Sequence, residues 1–190
     1  MPRLDAAIRS GKVPPAMVVL PNGLGVSRWS DSPDGKRPVE SVVVGELIPH
    51  VDSIYRTSAT GRHRALEGFS MGGFGAAHLG FKYPDIFGLS RWMQAHCFDE
   101  SENTEHLEAN SHWNLVVRNA RAIRGETLVR MAAGEKYSRL DLNRQFDLLL
   151  DALKIEHESV VLPGIGHNGE MLYTLLGDRT FAFYARTFGR

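Results

Sequence analysis

The sequence predicts a single α/β domain in which a mainly parallel β-sheet lies between two layers of helices. Short apolar runs typical of buried strands alternate along the chain with longer runs that have apolar residues at helical spacing. The 190 residues contain no linker and no internal repeat, which favours one domain over residues 1–190. Strands that alternate with helices form parallel sheets covered on both faces, so we expect a three-layer α/β/α architecture.

Each element follows from its own local pattern. Proline and glycine set three boundaries: Pro49 should kink or interrupt the first long helix, Pro84 should stop the second, and Gly177 should break the last. The predicted strands cover residues 16–21, 63–69, 88–97, 127–134 and 157–164. The predicted helices cover residues 39–56, 73–84, 110–123, 142–155 and 169–188.

Charge and composition exclude several classes of protein. The 22 basic and 22 acidic residues balance, so the chain has no basic field for nucleic acid and we expect no such partner. No apolar run reaches the length of a membrane span, and the N-terminal stretch lacks the apolar core of a signal peptide. We therefore expect no membrane association and a cytoplasmic location. Cys97 is the only cysteine, which excludes an intrachain disulfide.

Ser70 is the first candidate for chemistry. Gly68-Phe69-Ser70-Met71-Gly72 fits G-x-S-x-G, a weak pattern alone, but it lies between a predicted strand and a predicted helix, as a nucleophile on a strained turn would. The two glycines would leave room for such a turn. The positive end of the helix would favour developing negative charge, so the Met71 N–H is a candidate oxyanion donor. The alternative is a buried serine in a glycine-rich corner.

A serine hydroxyl is a weak nucleophile without an adjacent base. Of eight histidines, His167 follows the last predicted strand in the loop "PGIGHNGE", where chain order places the base. The acid that orients the histidine is expected on the loop after residues 127–134, which offers Glu135 and Asp141. Asp141 could instead only cap the next helix, and Glu135 could be a solvated turn residue. Asp99, after the preceding strand, is a third candidate.

No cofactor and no metal are expected. Gly23-Leu24-Gly25 does not continue into a dinucleotide-binding motif, because Arg28 stands where the third glycine belongs. No H-E-x-x-H motif or cysteine cluster supports a metal at His167. Trp29 lies in a loop near the expected acyl site, where it could form a wall for the substrate.

The segments "MVVLPNG", "GELIPHVDSIYR", "ALEGFSMGGFGAAHLGFKYPDIFG" and "VVLPGIGHN" resemble the esterase branch of the α/β-hydrolases, which includes esterase D, feruloyl esterases and mycolyltransferases. The resemblance covers residues 8–188 in order. It implies an α/β-hydrolase fold and ester cleavage through an acyl-enzyme, with Ser70 as nucleophile and His167 as base.

The chain departs from that family in two places. Tyr137 occupies the position of the usual aspartate, and a later acid in the mycolyltransferase-like branch makes Asp141 the favoured acid. Relative to the family, we also expect the first strands and their oxyanion loop to be absent from residues 1–190, which predicts an N-terminally shortened domain with a reduced sheet. Either the 16–21 strand pairs directly with the Ser70 strand, with Asn22 near the oxyanion, or a partner subunit fills the gap. An uncovered edge favours a homo-oligomer.

Together these observations predict a serine carboxylesterase that hydrolyses short-chain acyl esters, with a small-molecule ester as its substrate. Two alternatives remain open. The same site could serve an acyltransferase or a thioesterase. A degenerate α/β-hydrolase fold could instead serve binding or assembly, which the tyrosine at position 137 and the missing strands favour.

Overall fold

A computed structural model describes residues 2–25, 27–93 and 105–188. Four parallel strands form one sheet in the order β1-β2-β3-β4. The strands are β1 (Ala65–Phe69), β2 (Leu89–Met93), β3 (Leu128–Gly134) and β4 (His157–Leu162). The helices are α1 (Pro2–Arg9), α2 (Val39–Ser41), α3 (Ile48–Ile54), α4 (Met71–Lys82), α5 (Glu105–Ala109), α6 (His112–Ile123), α7 (Leu140–Ala152), α8 (Gly169–Leu176) and α9 (Asp178–Phe188). A π-helical stretch, Val42–Leu47, joins α2 to α3, and Gly61–His63 form a 3₁₀ turn.

Most predicted elements are confirmed within one to three residues at each end. Pro49 is the second residue of α3 but lies inside a continuous helical stretch from Val39 to Ile54, and the π-helical turns directly precede it. The missing proline N–H removes one helical hydrogen bond there, so the irregular turns lie where the sequence predicts an interruption. Gly177 separates α8 from α9 with φ +47°, a backbone conformation that glycine adopts without strain. The predicted second strand is confirmed over residues 89–93, and its remainder lies outside the described residues.

Helices cover both faces of the sheet, as alternate residues of β3 show. Val129 and Met131 join a buried cluster with residues of α4, α6 and α7, whereas Ala132 packs with residues of α8 and Leu128 packs with Phe183 of α9. Successive side chains of a strand point to opposite faces, so these clusters lie on opposite sides of the sheet. The three-layer α/β/α prediction is confirmed, and β3 is buried along its whole length.

The predicted strand over residues 16–21 is wrong. These residues are all described and form no strand, and Met17, Val18, Val19 and Leu20 are each at least 44% exposed. Direct pairing of this segment with β1 therefore does not occur. Its apolar and β-branched residues favour a strand, but a strand also needs a neighbouring strand whose backbone groups pair with its own. A cleft of about 760 Å³ lies between this segment and residues 65–67 of β1.

A polar network is buried beside α4. The His78 Nε2 lies 2.7 Å from Glu40 Oε2, and the other ring nitrogen lies 2.9 Å from the Asn110 carbonyl oxygen. Lys82 and Tyr83 also donate to the Glu40 carboxylate. Burial alone would raise the pKa of Glu40, but hydrogen bonds from His78, Lys82 and Tyr83 lower that pKa to about 2. The network fixes α2 against α4.

Within the described residues, every helix is too short or too polar to cross a lipid bilayer. The cytoplasmic location and the expectation of no membrane partner stay predictions.

Candidate active site

Ser70 occupies the turn that joins the end of β1 to the start of α4. Its backbone has φ +56° and ψ −116°, a strained conformation for a residue with a side chain. Gly68 makes this turn feasible, because a Cβ there would overlap the backbone of Gly72. The predicted need for glycine is therefore supported at Gly68. At Gly72 it is wrong, because a Cβ there would enter open space.

The first turn of α4 supplies the positive environment expected around Ser70. Met71 is the first helical residue, and the first amides of a helix have no partner inside the helix. These amides, together with the helix dipole, favour a negative charge beside the serine. Small residues line the following turns, so α4 packs closely against the sheet and its N-terminus is held rigidly. Met71 as oxyanion donor stays a prediction that fits this position.

The loop after β4 brings His167 to Ser70. The His167 Nε2 and the Ser70 Oγ lie 3.0 Å apart, within hydrogen-bond distance. Two backbone hydrogen bonds anchor the loop across the end of β3: Glu135 N–H donates to the Leu162 carbonyl, and Lys136 N–H donates to the Ile165 carbonyl, each at 2.8 Å. Both side chains of the proposed Ser–His pair are accessible enough to meet a substrate.

The structure does not bring the favoured acid to His167. Asp141 lies in the first turn of α7, where its side chain is 86% exposed and its carboxylate pairs with Arg144 at 3.2 Å. Glu135 accepts a hydrogen bond from the Gly164 N–H at 2.8 Å. Asp99 lies outside the described residues. Among the described residues, no carboxylate oxygen is hydrogen-bonded to the His167 ring, so the identity of the acid stays a prediction.

Aromatic side chains surround His167 instead. The Tyr137 ring stacks on the imidazole with centroids 5.2 Å apart and an interplanar angle of 21°. The Phe69 ring lies 4.6 Å from the imidazole at 34°. In the sequence, Tyr137 stands out only as a lost aspartate and Phe69 only as part of the serine motif. Their positions at the ends of β3 and β1, both at the carboxyl edge of the sheet, are the signal that could have grouped them with His167.

The turn at residues 22–25 is tied to α4 through Trp29. The Trp29 ring lies so close to Gly23 and Gly75 that a Cβ at either glycine would overlap it. Asn22 is exposed, and its side-chain oxygen accepts a hydrogen bond from the Leu24 N–H at 3.0 Å. The oxyanion role of Asn22 stays a prediction. Trp29 lines the 760 Å³ cleft, which includes neither Ser70 nor His167 in its walls.

No group of histidine, cysteine, aspartate and glutamate side chains in the described ranges has the arrangement of a metal site.

The architecture is that of the α/β-hydrolases. A solved structure of a ferulic acid esterase matches 98% of this chain and 76% of its own, with a TM-score of 0.84 and 24% sequence identity. The chain itself belongs to the family described as "Putative esterase", whose family model matches residues 2–170.

Two curated relatives share a shorter segment. An esterase of Mycobacterium tuberculosis is 38% identical over 73 residues, which is 36% of this chain and 16% of the relative. An endo-1,4-beta-xylanase/feruloyl esterase of Xylanibacter ruminicola is 34% identical over 88 residues, 45% of this chain and 12% of the relative. The match thus spans less than a fifth of each relative's length.

Proposed function

We propose that the protein is a serine carboxylesterase that works through an acyl-enzyme. The observation that carries this proposal is the 3.0 Å distance between His167 Nε2 and the Oγ of a serine held at positive φ between a strand and a helix. A hydroxyl so placed has a base within reach and a helix N-terminus beside it. Family membership supports the same activity.

The geometry suggests the following steps. Ser70 Oγ attacks the ester carbonyl while its proton moves to His167 Nε2, and the Met71 N–H donates to the oxyanion. The tetrahedral intermediate collapses, the C–O bond to the alcohol breaks, and the leaving alkoxide takes the proton from His167. Water then attacks the acyl-enzyme with His167 as base, which releases the acid and restores the Ser70 hydroxyl.

The proposed substrates are short-chain acyl esters. The described structural neighbour is a ferulic acid esterase and one curated relative is a feruloyl esterase, so an aromatic acyl group is the alternative to an acetyl group. An ester panel that compares p-nitrophenyl acetate, p-nitrophenyl butyrate and methyl ferulate would separate the two. Higher kcat/KM on the acetate supports the short-chain proposal, and higher kcat/KM on the ferulate contradicts it.

The direct test is Ser70→Ala. We expect this variant to lose hydrolysis of p-nitrophenyl acetate while its circular dichroism spectrum and melting temperature stay near those of the wild type. Ser53→Ala is a matched control, because Ser53 is an exposed serine on α3 whose hydroxyl donates to the His50 carbonyl. Turnover by Ser70→Ala at the wild-type rate would contradict the mechanism.

The alternative of a degenerate hydrolase fold used for binding has one observation in its favour: no described carboxylate orients His167. A fluorophosphonate probe separates the two functions because it labels only an activated serine. We expect labelling at Ser70 that His167→Ala strongly slows. A folded protein that is not labelled would favour the binding function.

We also propose that the chain forms a homo-oligomer through the edge of the sheet at β1. The support is the cleft beside residues 65–67 and the exposed apolar stretch from Met17 to Leu20. Such an edge and such a stretch tend to pair with another chain. Sedimentation equilibrium should give at least twice the monomer mass, and a monomer at all concentrations tested would contradict the proposal.

A further inference from the structure

The loop that follows β3 presents one aromatic ring to the proposed base. Tyr137 is 6% exposed and packs with Ala133 and Leu140. Its N–H donates to the Gly134 carbonyl at 3.0 Å, which closes a tight turn at the end of the strand. The ring position is therefore set by a buried strand end and by the start of α7, and not by a mobile surface loop.

That ring meets His167 in a favourable geometry. The centroid of the His167 ring lies 4.6 Å from that of Phe69 and 5.2 Å from that of Tyr137, distances typical of stacked and offset aromatic pairs. Tyr137 is the more nearly parallel of the two, so it presents its face to the imidazole. An electron-rich aromatic face attracts a cation, and the histidine becomes a cation when it accepts the proton of Ser70.

We propose that Tyr137 is a positioning residue for His167, an inference that rests on the proposed esterase function. Its ring holds the imidazole so that Nε2 points at the Ser70 Oγ, and its face stabilises the imidazolium formed during attack. In a hydrolase triad both tasks belong to the buried acid. Here a stacked ring, at the position where the resemblance places that acid, contributes to both.

Because the stabilised species exists only during the reaction, the loss of the ring should lower kcat and leave KM nearly unchanged. Tyr137→Leu should reduce kcat on p-nitrophenyl acetate on the order of tenfold, between the sizes of an exposed and a desolvated cation–π contact. Tyr137→Phe keeps the ring and should recover most of that loss. The rate at which a fluorophosphonate labels Ser70 should follow the same order.

A matched control removes a stacked tyrosine elsewhere. Tyr184 stacks on Phe188 with centroids 6.0 Å apart and packs near Leu128, at the opposite end of β3 from the site. Tyr184→Leu should leave the kcat of the folded enzyme within about twofold of the wild type. If Tyr137→Leu does not fold, Tyr137→Met, whose unbranched side chain adapts to the space that the ring leaves, answers the same question.

A second comparison separates positioning from structural support. A residue that acts through His167 has no effect once His167 is absent, so Tyr137→Leu should change neither residual turnover nor labelling rate in a His167→Ala background. An equal loss in that background, or a Tyr137→Phe variant as slow as Tyr137→Leu, would overturn the positioning role. So would a Tyr137→Leu enzyme with wild-type kcat. If Ser70→Ala keeps its activity, the proposed function itself fails, and the role of Tyr137 fails with it.

Discussion

His78 and His167 both lie at helix α4, but their exposure and their hydrogen-bond partners differ. His78 is completely buried within α4, and its two ring nitrogens are bound to the Glu40 carboxylate and the Asn110 carbonyl. His167 is exposed beyond the start of α4, with one nitrogen near Ser70 and aromatic rings around it. If a nearby hydrogen-bond partner were the only criterion, either histidine would be a candidate for the catalytic base.

The difference shows what a base requires beyond a partner. His78 has the carboxylate that a triad histidine would have, but a substrate cannot reach it and neither nitrogen has room for another proton donor. His167 has no described carboxylate, but its bond to Ser70 lies at an open surface. Its access to solvent and its neighbouring hydroxyl support the proposed role of His167 as the base, whereas burial and two bound ring nitrogens indicate a structural role for His78.

The largest expected effect is on the exposed histidine. His167→Ala should lower kcat/KM for p-nitrophenyl acetate about 10³-fold or more, because the serine loses its base. The melting temperature should change little, since the side chain is exposed. Steady-state kinetics and thermal denaturation measure the two quantities. Activity within tenfold of the wild type would remove the functional contrast between the two histidines.

The buried histidine should show the reverse pattern. His78→Ala removes hydrogen bonds to a buried carboxylate and should lower the free energy of unfolding by about 2 to 3 kcal/mol. The kcat of the folded fraction should stay within about threefold of the wild type. Urea denaturation gives the first value and active-site titration corrects the second. A large kcat loss in a fully folded variant would mean that the network reaches the active site.

Low pH should lower the free energy of unfolding through buried titratable groups, which sharpens the contrast between the buried network and the exposed site. Burial lowers the pKa of His112 to about 3, so the folded state resists its protonation, and stability falls as the pH drops from 6.5 towards 3. Glu40, with a pKa of about 2, adds a loss between pH 4.5 and pH 2. Urea denaturation should therefore show about 2 to 3 kcal/mol less stability at pH 4 than at pH 7. Equal stability at the two pH values would contradict these environments.

The smallest expected effect is at Asp141. Its exposed carboxylate pairs with the exposed Arg144 side chain at 3.2 Å, so the geometry predicts that Asp141→Asn keeps kcat within about threefold of the wild type. The sequence-based prediction of a triad acid requires a loss of at least a hundredfold. Kinetics of this variant, with Glu135→Gln measured beside it, decide between the two.

Local pattern was sufficient for most of the fold. The strand before Ser70 and the helix after it follow from an apolar run, small residues and a proline, all of which act over a few residues. The 16–21 segment carries an equally good strand pattern but has no partner in the sheet. Whether this segment forms a strand depends on the presence of a neighbouring strand, and the local sequence pattern carries no information about that neighbour.

For the candidate site too, the sequence predicted some of the positions and not others. Chain order placed Ser70 and His167 correctly beside each other, because the order of the elements fixes which loops meet at the carboxyl edge of the sheet. The acid could not be placed, since Glu135 on the expected loop is bonded to the Gly164 N–H and Asp141 in the first turn of α7 is paired with Arg144. The direction of a side chain within a turn depends on backbone angles that residue identity does not specify. The stacking of Tyr137 was missed for that reason.

The open cleft beside β1 has a consequence for how the protein should lose activity. β1 is only half-buried along its length, whereas β3 is fully buried, so amide hydrogen exchange should be faster in β1 than in β3. The strained backbone of Ser70 persists only while the elements on either side hold it, and these elements are β1, which ends at Phe69, and α4, which begins at Met71. On heating, fraying of this edge strand should let the serine relax and inactivate the enzyme at a temperature where the rest of the sheet is still folded.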